Sequence, residues 1–281
     1  MAFIRLSLTV SWFFSSDLFS KLIITMQITD THSHIYLDDF DQDRSEMLKR
    51  AEMEGVTKIL MPAIDSITHE KVIESENLNH DQCIAMMGLH PCSVKENFMD
   101  ELAIVKKYLT QRKFVAVGEI GLDFYWDKTF IKEQFEAFHK QIEWGLEFNL
   151  PIVIHSRNSI DQCVEVVRLR QNGKLKGVFH CFSGSLVQAN EIIEMGFYLG
   201  IGGVLTYKNS GLDKVIEQID MKHLVLETDA PYLTPVPFRG KRNECSYIKF
   251  IAQKMAEVKK ISLEEVADIT SVNAENLFGK L

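Results

Sequence analysis

Phe114-Val115-Ala116-Val117-Gly118-Glu119 and Pro151-Ile152-Val153-Ile154-His155 are two short apolar runs rich in β-branched residues, the pattern of buried strands. Between them Ile131, Phe135, Phe138, Ile142 and Leu146 recur at spacings of three and four, which predicts one apolar face of a helix over 130–148. Strand, helix and following strand make one βα unit.

Outward from this unit the same alternation runs through the chain. Strands are expected at 27–34, 56–62, 83–89, 114–119, 151–156, 177–181, 196–201 and 223–229. Helices are expected at 43–54, 67–79, 99–111, 130–148, 158–171, 186–195 and 211–219, with a long helical tail at 245–278. Eight such units predict the α/β class and a (β/α)8 TIM barrel. The competing open doubly wound sheet lacks its usual signature, because no G-x-G-x-x-G follows the first strand. A chain of 281 residues with no internal repeat or Pro/Gly linker suits one barrel of about 250 residues. Residues 26–281 are therefore expected to form a single domain.

The first 25 residues differ from the rest. Leu6 to Phe14 has about the length of a signal-peptide core, but Ser7, Thr9 and Ser11 interrupt it and no A-x-A-like site follows. Met26 opens a segment that needs nothing before it, so 1–25 is expected to be a non-native upstream extension or a disordered arm.

Composition narrows the function classes. Hydrophobic residues are 46% and charged residues 25%, which excludes a disordered or collagenous chain. No apolar run reaches the roughly 20 residues of a membrane span. Lys and Arg total 31 against 39 Asp and Glu, a net charge of -8, which argues against coating long duplexes by phosphate neutralisation. Bound divalent cations reverse the sign of a site locally, so contact with a single phosphate stays open. Five scattered cysteines without a C-x-x-C pair point to reduced thiols and a cytoplasmic location. No feature calls for an obligate protein partner or a membrane.

The chemistry lies at the strand ends. Strand one ends in His32-Ser33-His34, strand four in Glu119, strand five in His155, strand six in His180 and strand eight in Asp229. Residues i and i+2 of a strand share a face, so His32 and His34 converge. The same parity puts Val115 and Val117 inside the barrel below Glu119, and Val153 below His155. Barrel active sites occupy the C-terminal rim, so the six groups are predicted to point into one cup. Singly, a strand-terminal His or Asp has an ordinary reading as a hydrogen-bonded group or turn former. Together, four histidines and two carboxylates exceed the needs of one tetrahedral ion and predict two divalent ions bridged by a carboxylate. Such donors suit Zn, Mn, Fe or Co, and Mg through the oxygens. Asp30 and Glu227 lie two residues below His32 and Asp229 and are expected to accept a spare imidazole N–H. For Asp30, a solvated start of the strand is the competing reading.

The motifs D-T-H-S-H at 30–34, G-L-H-P at 88–91, G-E-I-G-L-D at 118–123, P-I-V-I-H-S-R at 151–157, F-H-C-F-S-G at 179–184 and E-T-D-A-P-Y-L at 227–233 occur in this order. Through them the chain, from Met26 to about Leu277, resembles the TatD-like metal-dependent deoxyribonucleases of the amidohydrolase superfamily. The resemblance implies His32, His34, Glu119, His155, His180 and Asp229 as metal ligands, with Glu119 bridging. Wider relatives bridge with a carboxylated lysine, but Lys113 sits at the other end of strand four. One departure is Cys245, where the family pattern R-G-x-x-N-x-P beginning at Arg239 expects proline. Little functional change is expected from it.

The mechanism expected is two-metal phosphodiester hydrolysis, with Asp229 as base as well as ligand. His90 and Arg157 are candidates to hold phosphate, and Arg239, Lys241 and Arg242 to meet a nucleic-acid backbone, against a solvated-loop reading. Phe124, Tyr125, Trp126 and Tyr232 are candidates to stack on a base, against simple packing. A duplex is too broad to enter a barrel cup and an acidic protein gains little from long-range phosphate contact, which favours single-stranded or frayed ends; the resemblance implies removal of nucleotides from 3′ ends of DNA. Hydrolysis of a small ester, lactone or amide is the alternative activity, and non-catalytic metal binding the alternative class.

Overall fold

The computed structural model describes residues 26–281, and the segment 1–25 lies outside the described residues. The strands are β1 (Ile28–Asp30), β2 (Val56–Met61), β3 (Cys83–Ala85), β4 (Val117–Asp123), β5 (Ile152–Arg157), β6 (Gly177–Phe179), β7 (Tyr198–Ile201) and β8 (Leu224–Leu226). They pair in parallel in the orders β1-β2-β3 and β4-β5-β6-β7-β8. Parallel bridges close both seams: Met87 pairs with Val117, and Ser33 with Ala230. Backbone bonds from Gly118 N–H to Met87 O (3.0 Å) and from Thr31 N–H to Leu226 O (3.0 Å) reinforce them. The result is the expected TIM barrel.

The helices are α1 (Arg44–Met53), α2 (His69–Leu78), α3 (Phe98–Gln111), α4 (Ile131–Phe148), α5 (Ile160–Arg170), α6 (Leu186–Glu194), α7 (Leu212–Gln218), α8 (Ile248–Lys259) and α9 (Leu263–Phe278). The predicted stripe of α4 packs on the sheet, with Phe138 and Ile142 fully buried. The tail is two helices rather than one. Lys260 takes a left-handed conformation (φ 57°) that stops α8, and Ser262 with Glu265 forms a capping box that starts α9. No helix among the described residues is long and apolar enough to cross a membrane.

Two apolar layers position the site. The outer layer joins the helices to the outward strand residues, including Ile152, Ile154 and Leu224. The inner layer gathers Leu60, Met86, Ala116, Val153, Val178 and Val225 against Ala274, Leu277 and Phe278 of α9, which closes the floor of the barrel. Val153 thus faces inward below His155 as expected. Val117 does not: it belongs to the outer layer, and Ala116 takes the inward place. The register explains the difference. Val117 pairs with Ile152 but Ile120 with Ile154, so β4 spends three steps where β5 spends two. This bulge breaks the alternation and turns Glu119 inward, and β4 then runs on to Asp123.

Candidate metal centre

The C-terminal ends of the strands surround a cavity of about 810 Å³, whose walls include His34, His90, Glu119, His155, His180 and Asp229. All the residues predicted as ligands meet at its base. Glu119, 1% exposed, stands at the centre. Its Oε2 lies 3.1 Å from His32 Nε2 and 3.5 Å from His34 Nε2. Its Oε1 lies 2.8 Å from His155 Nδ1, 2.7 Å from His180 Nε2 and 3.3 Å from His90 Nε2. Asp229 Oδ1 closes the first side, 3.6 Å from His34 Nε2 and 3.8 Å from His32 Nε2. The two oxygens of one carboxylate therefore face two separate sets of imidazoles.

Electrostatics match this arrangement. Burial alone would raise the Glu119 pKa, but His180, His90 and His32 hold it well below the ordinary carboxylate range. His34 is also buried, yet Asp229 and Glu119 push its pKa up to about 9.

His32 Nε2 and His34 Nε2 are 3.3 Å apart, and His180 Nε2 and His155 Nδ1 are 3.4 Å apart. Nitrogen lone pairs that close repel one another unless a proton or a cation lies between them. His32, His34 and Asp229 form one group with metal-ligand spacing, and His32, Glu119 and His180 another. A third is His90, Glu119 and His155, with His90 Nε2 3.3 Å from both Glu119 Oε1 and His155 Nδ1. The residues fit divalent ions.

Outside the ligand set, the structure separates the expected supports. Glu227 is fully buried, accepts the Cys181 N–H and stands 3.6 Å from His180 Nδ1. Asp30 is also buried, which overturns the solvated reading, but it binds no imidazole. It accepts Thr228 N–H (3.0 Å), Thr228 O–H (2.6 Å) and the backbone N–H of His32 (3.3 Å), tying the end of β1 to the segment just after β8, beneath the expected ligands. Burial pushes its pKa up to about 7 against those bonds.

Sequence reasoning missed Asp123 as a site residue, although it ends a quoted motif. Asp123 Oδ2 lies 2.9 Å from His155 Nε2, so it fixes the ring and leaves Nδ1 toward Glu119. Asp123 shares the parity of Glu119 but lies four residues beyond the expected end of the strand.

At the mouth, Arg157 lies over Tyr125 and Trp126, 4.0 and 5.2 Å from the ring centroids. Tyr125, Trp126 and Tyr232 are exposed, whereas Phe124 packs against the core beside Phe135. Arg239 stacks on Tyr207 at 4.0 Å. Arg242 is engaged elsewhere, binding Asp43 through both guanidinium nitrogens (2.6 and 2.8 Å), so it is not an open backbone contact.

The family model for TatD related DNase matches residues 29–279. The chain belongs to the TatD family. YabD of Bacillus subtilis, described as an uncharacterized metal-dependent hydrolase, is 40% identical over 250 residues, covering 89% of this chain and 98% of its own. A 3′-5′ ssDNA/RNA exonuclease TatD of Erwinia amylovora is 27% identical, covering 85% and 95%. Among solved structures, the TatD homologue YjjV of Escherichia coli superposes with a TM-score of 0.86 at 30% identity, covering 92% of this chain and all of that one. The TatD fold, the metal-dependent hydrolase class and the cluster of His, Glu and Asp groups therefore agree.

Proposed function

We propose that this TatD protein hydrolyses phosphodiester bonds at the 3′ ends of single-stranded or frayed DNA, using two divalent ions held on either side of Glu119. The observation that carries the reading is the split of Glu119: Oε2 toward His32 and His34, Oε1 toward His155 and His180. When bound, a pair of Mg, Mn or Zn ions supplies an acidified water and offsets the charge that develops on the phosphate.

The protein's own groups do the rest. Glu119 and Asp229 fix the spacing of the two sides; Asp229 would accept the proton as the water attacks phosphorus and return it to the alcohol oxygen that departs as its P–O bond breaks. His90, at the cavity wall, orients a phosphate oxygen. Arg157 and Arg239 are placed to meet the adjoining backbone, while Trp126, Tyr125 and Tyr232 offer faces on which a terminal base stacks without sequence readout. A deep cup with a net acidic protein around it favours a narrow strand end over the side of a duplex. The exonuclease name carried by the Erwinia relative supports the same substrate class. The scattered thiols support the reducing cytoplasm as its compartment.

The test is an end-labelled linear oligonucleotide against a circular single strand of equal length, with Mg or Mn. The reading predicts stepwise loss of nucleotides from the linear 3′ end and an intact circle. Equal cleavage of the circle contradicts end-directed action. Cleavage of neither, with turnover of a small ester, lactone or amide, replaces the substrate class.

A further inference from the structure

Tyr36 is outside every ligand motif, yet it is 1% exposed and lies against a ligand. Its hydroxyl has two neighbours, the carbonyl oxygen of Pro62 at 2.7 Å and His34 Nδ1 at 2.9 Å. A phenol donates one hydrogen and accepts in return, whereas a carbonyl oxygen only accepts. An O···O separation of 2.7 Å is hydrogen-bond length, so the Tyr36 hydrogen points to Pro62. The remaining contact then requires His34 Nδ1 to carry a hydrogen and donate it to the Tyr36 oxygen. The backbone on either side of Tyr36 is fixed as well, because Arg44 donates to Ile35 O (2.8 Å) and to Leu37 O (3.1 Å).

A hydrogen on Nδ1 leaves Nε2 as the coordinating atom of the neutral ring. Nε2 is the atom that faces Glu119 Oε2 and Asp229 Oδ1. We propose that Tyr36 is a positioning residue: with the Pro62 carbonyl, its hydroxyl selects the Nδ1–H tautomer of His34 and so presents Nε2 to a divalent cation. The proposal rests on the metal-centre reading of the site. It also gives the two sides of the centre unlike supports. Asp123 backs His155 with a carboxylate, while a neutral phenol backs His34, where Asp229 and Glu119 already supply negative charge.

Tyr36→Phe keeps the ring and removes only the hydroxyl. Calorimetric titration of Mn²⁺ into the full chain should show one ion bound about ten- to a hundredfold more weakly in the variant, the other unchanged. In the zinc-loaded wild type, ¹⁵N spectra should place the His34 hydrogen on Nδ1, which decides the matter if the variant does not fold. Unchanged Mn²⁺ affinity in Tyr36→Phe, or the hydrogen found on Nε2, overturns the role of Tyr36 alone. A wild-type protein that binds no Mn²⁺ overturns both this role and the metal centre.

Discussion

Glu227 occupies the space in front of Gly200. A Cβ on Gly200 would lie 2.2 Å from Glu227 Oε2, so β7 must be bare where the carboxylate from the end of β8 turns into the barrel. From there Glu227 holds the Cys181 N–H and faces His180.

Gly200→Ala should therefore displace Glu227 and cost about 1–3 kcal/mol by overpacking. Thermal unfolding in chelator should show the lower Tm, and Mn²⁺ titration should show weaker binding. An unchanged Tm with unchanged affinity would mean that Glu227 moves aside freely and does not support His180.

On the proposed mechanism, Glu119→Gln removes the carboxylate between the two ions and Asp229→Asn the base. Each should lower turnover of an oligonucleotide by about a hundredfold or more. Cys181→Ala should leave turnover nearly unchanged, because its thiol, raised well above the ordinary range by burial, has no step in this chemistry. Loss of activity in Cys181→Ala with full activity in Asp229→Asn would point to a thiol nucleophile instead.

Much of this centre was legible in the sequence because barrel strands deliver side chains to one rim. His32, His34, His155, His180 and Asp229 follow from the ends of apolar runs and from alternation alone. Alternation points to Glu119 for a partly mistaken reason: its strand continues to Asp123, and Val117, expected inside, faces the helices. Alternation cannot report a bulge, since the extra residue shows only in the pairing with β5. Asp123 and Tyr36 stayed hidden for a different cause. Their roles are hydrogen bonds to particular ring nitrogens, and the Asp123 partner, His155, comes from another strand. Parity puts Asp30 below His32 and so predicts an imidazole partner, yet Thr228, just past β8, competes for its oxygens.

The mouth should act on binding rather than on chemistry. Trp126→Ala and Arg157→Ala should raise KM for a single strand, by about five- to a hundredfold if a base stacks there, with kcat and metal content little changed. Arg157→Ala should also flatten the salt dependence of KM. A fall in kcat at constant KM would place these side chains nearer the reaction than the cavity suggests.

Arg242 should matter to stability and not to DNA. Its guanidinium, with that of Arg50, holds the Asp43 carboxyl well below the usual range. A depressed carboxylate contributes stability above its unfolded pKa of about 3.9 and loses it as pH falls through the folded value. Arg242→Ala should thus cost about 1 kcal/mol or less near pH 7. Its Tm deficit should shrink at pH 3.5 and below. An equal deficit at both pH values would show that packing over the Phe40 ring, 4.4 Å away, carries the effect.

On the proposed mechanism, one carboxylate divides the site between two ions. Anomalous diffraction from Mn²⁺-loaded crystals measures this directly. Two manganese peaks are predicted, one among His32, His34 and Asp229, the other beside His155 and His180, with Glu119 between them. A single peak, or peaks that leave Glu119 uncoordinated, would contradict the account.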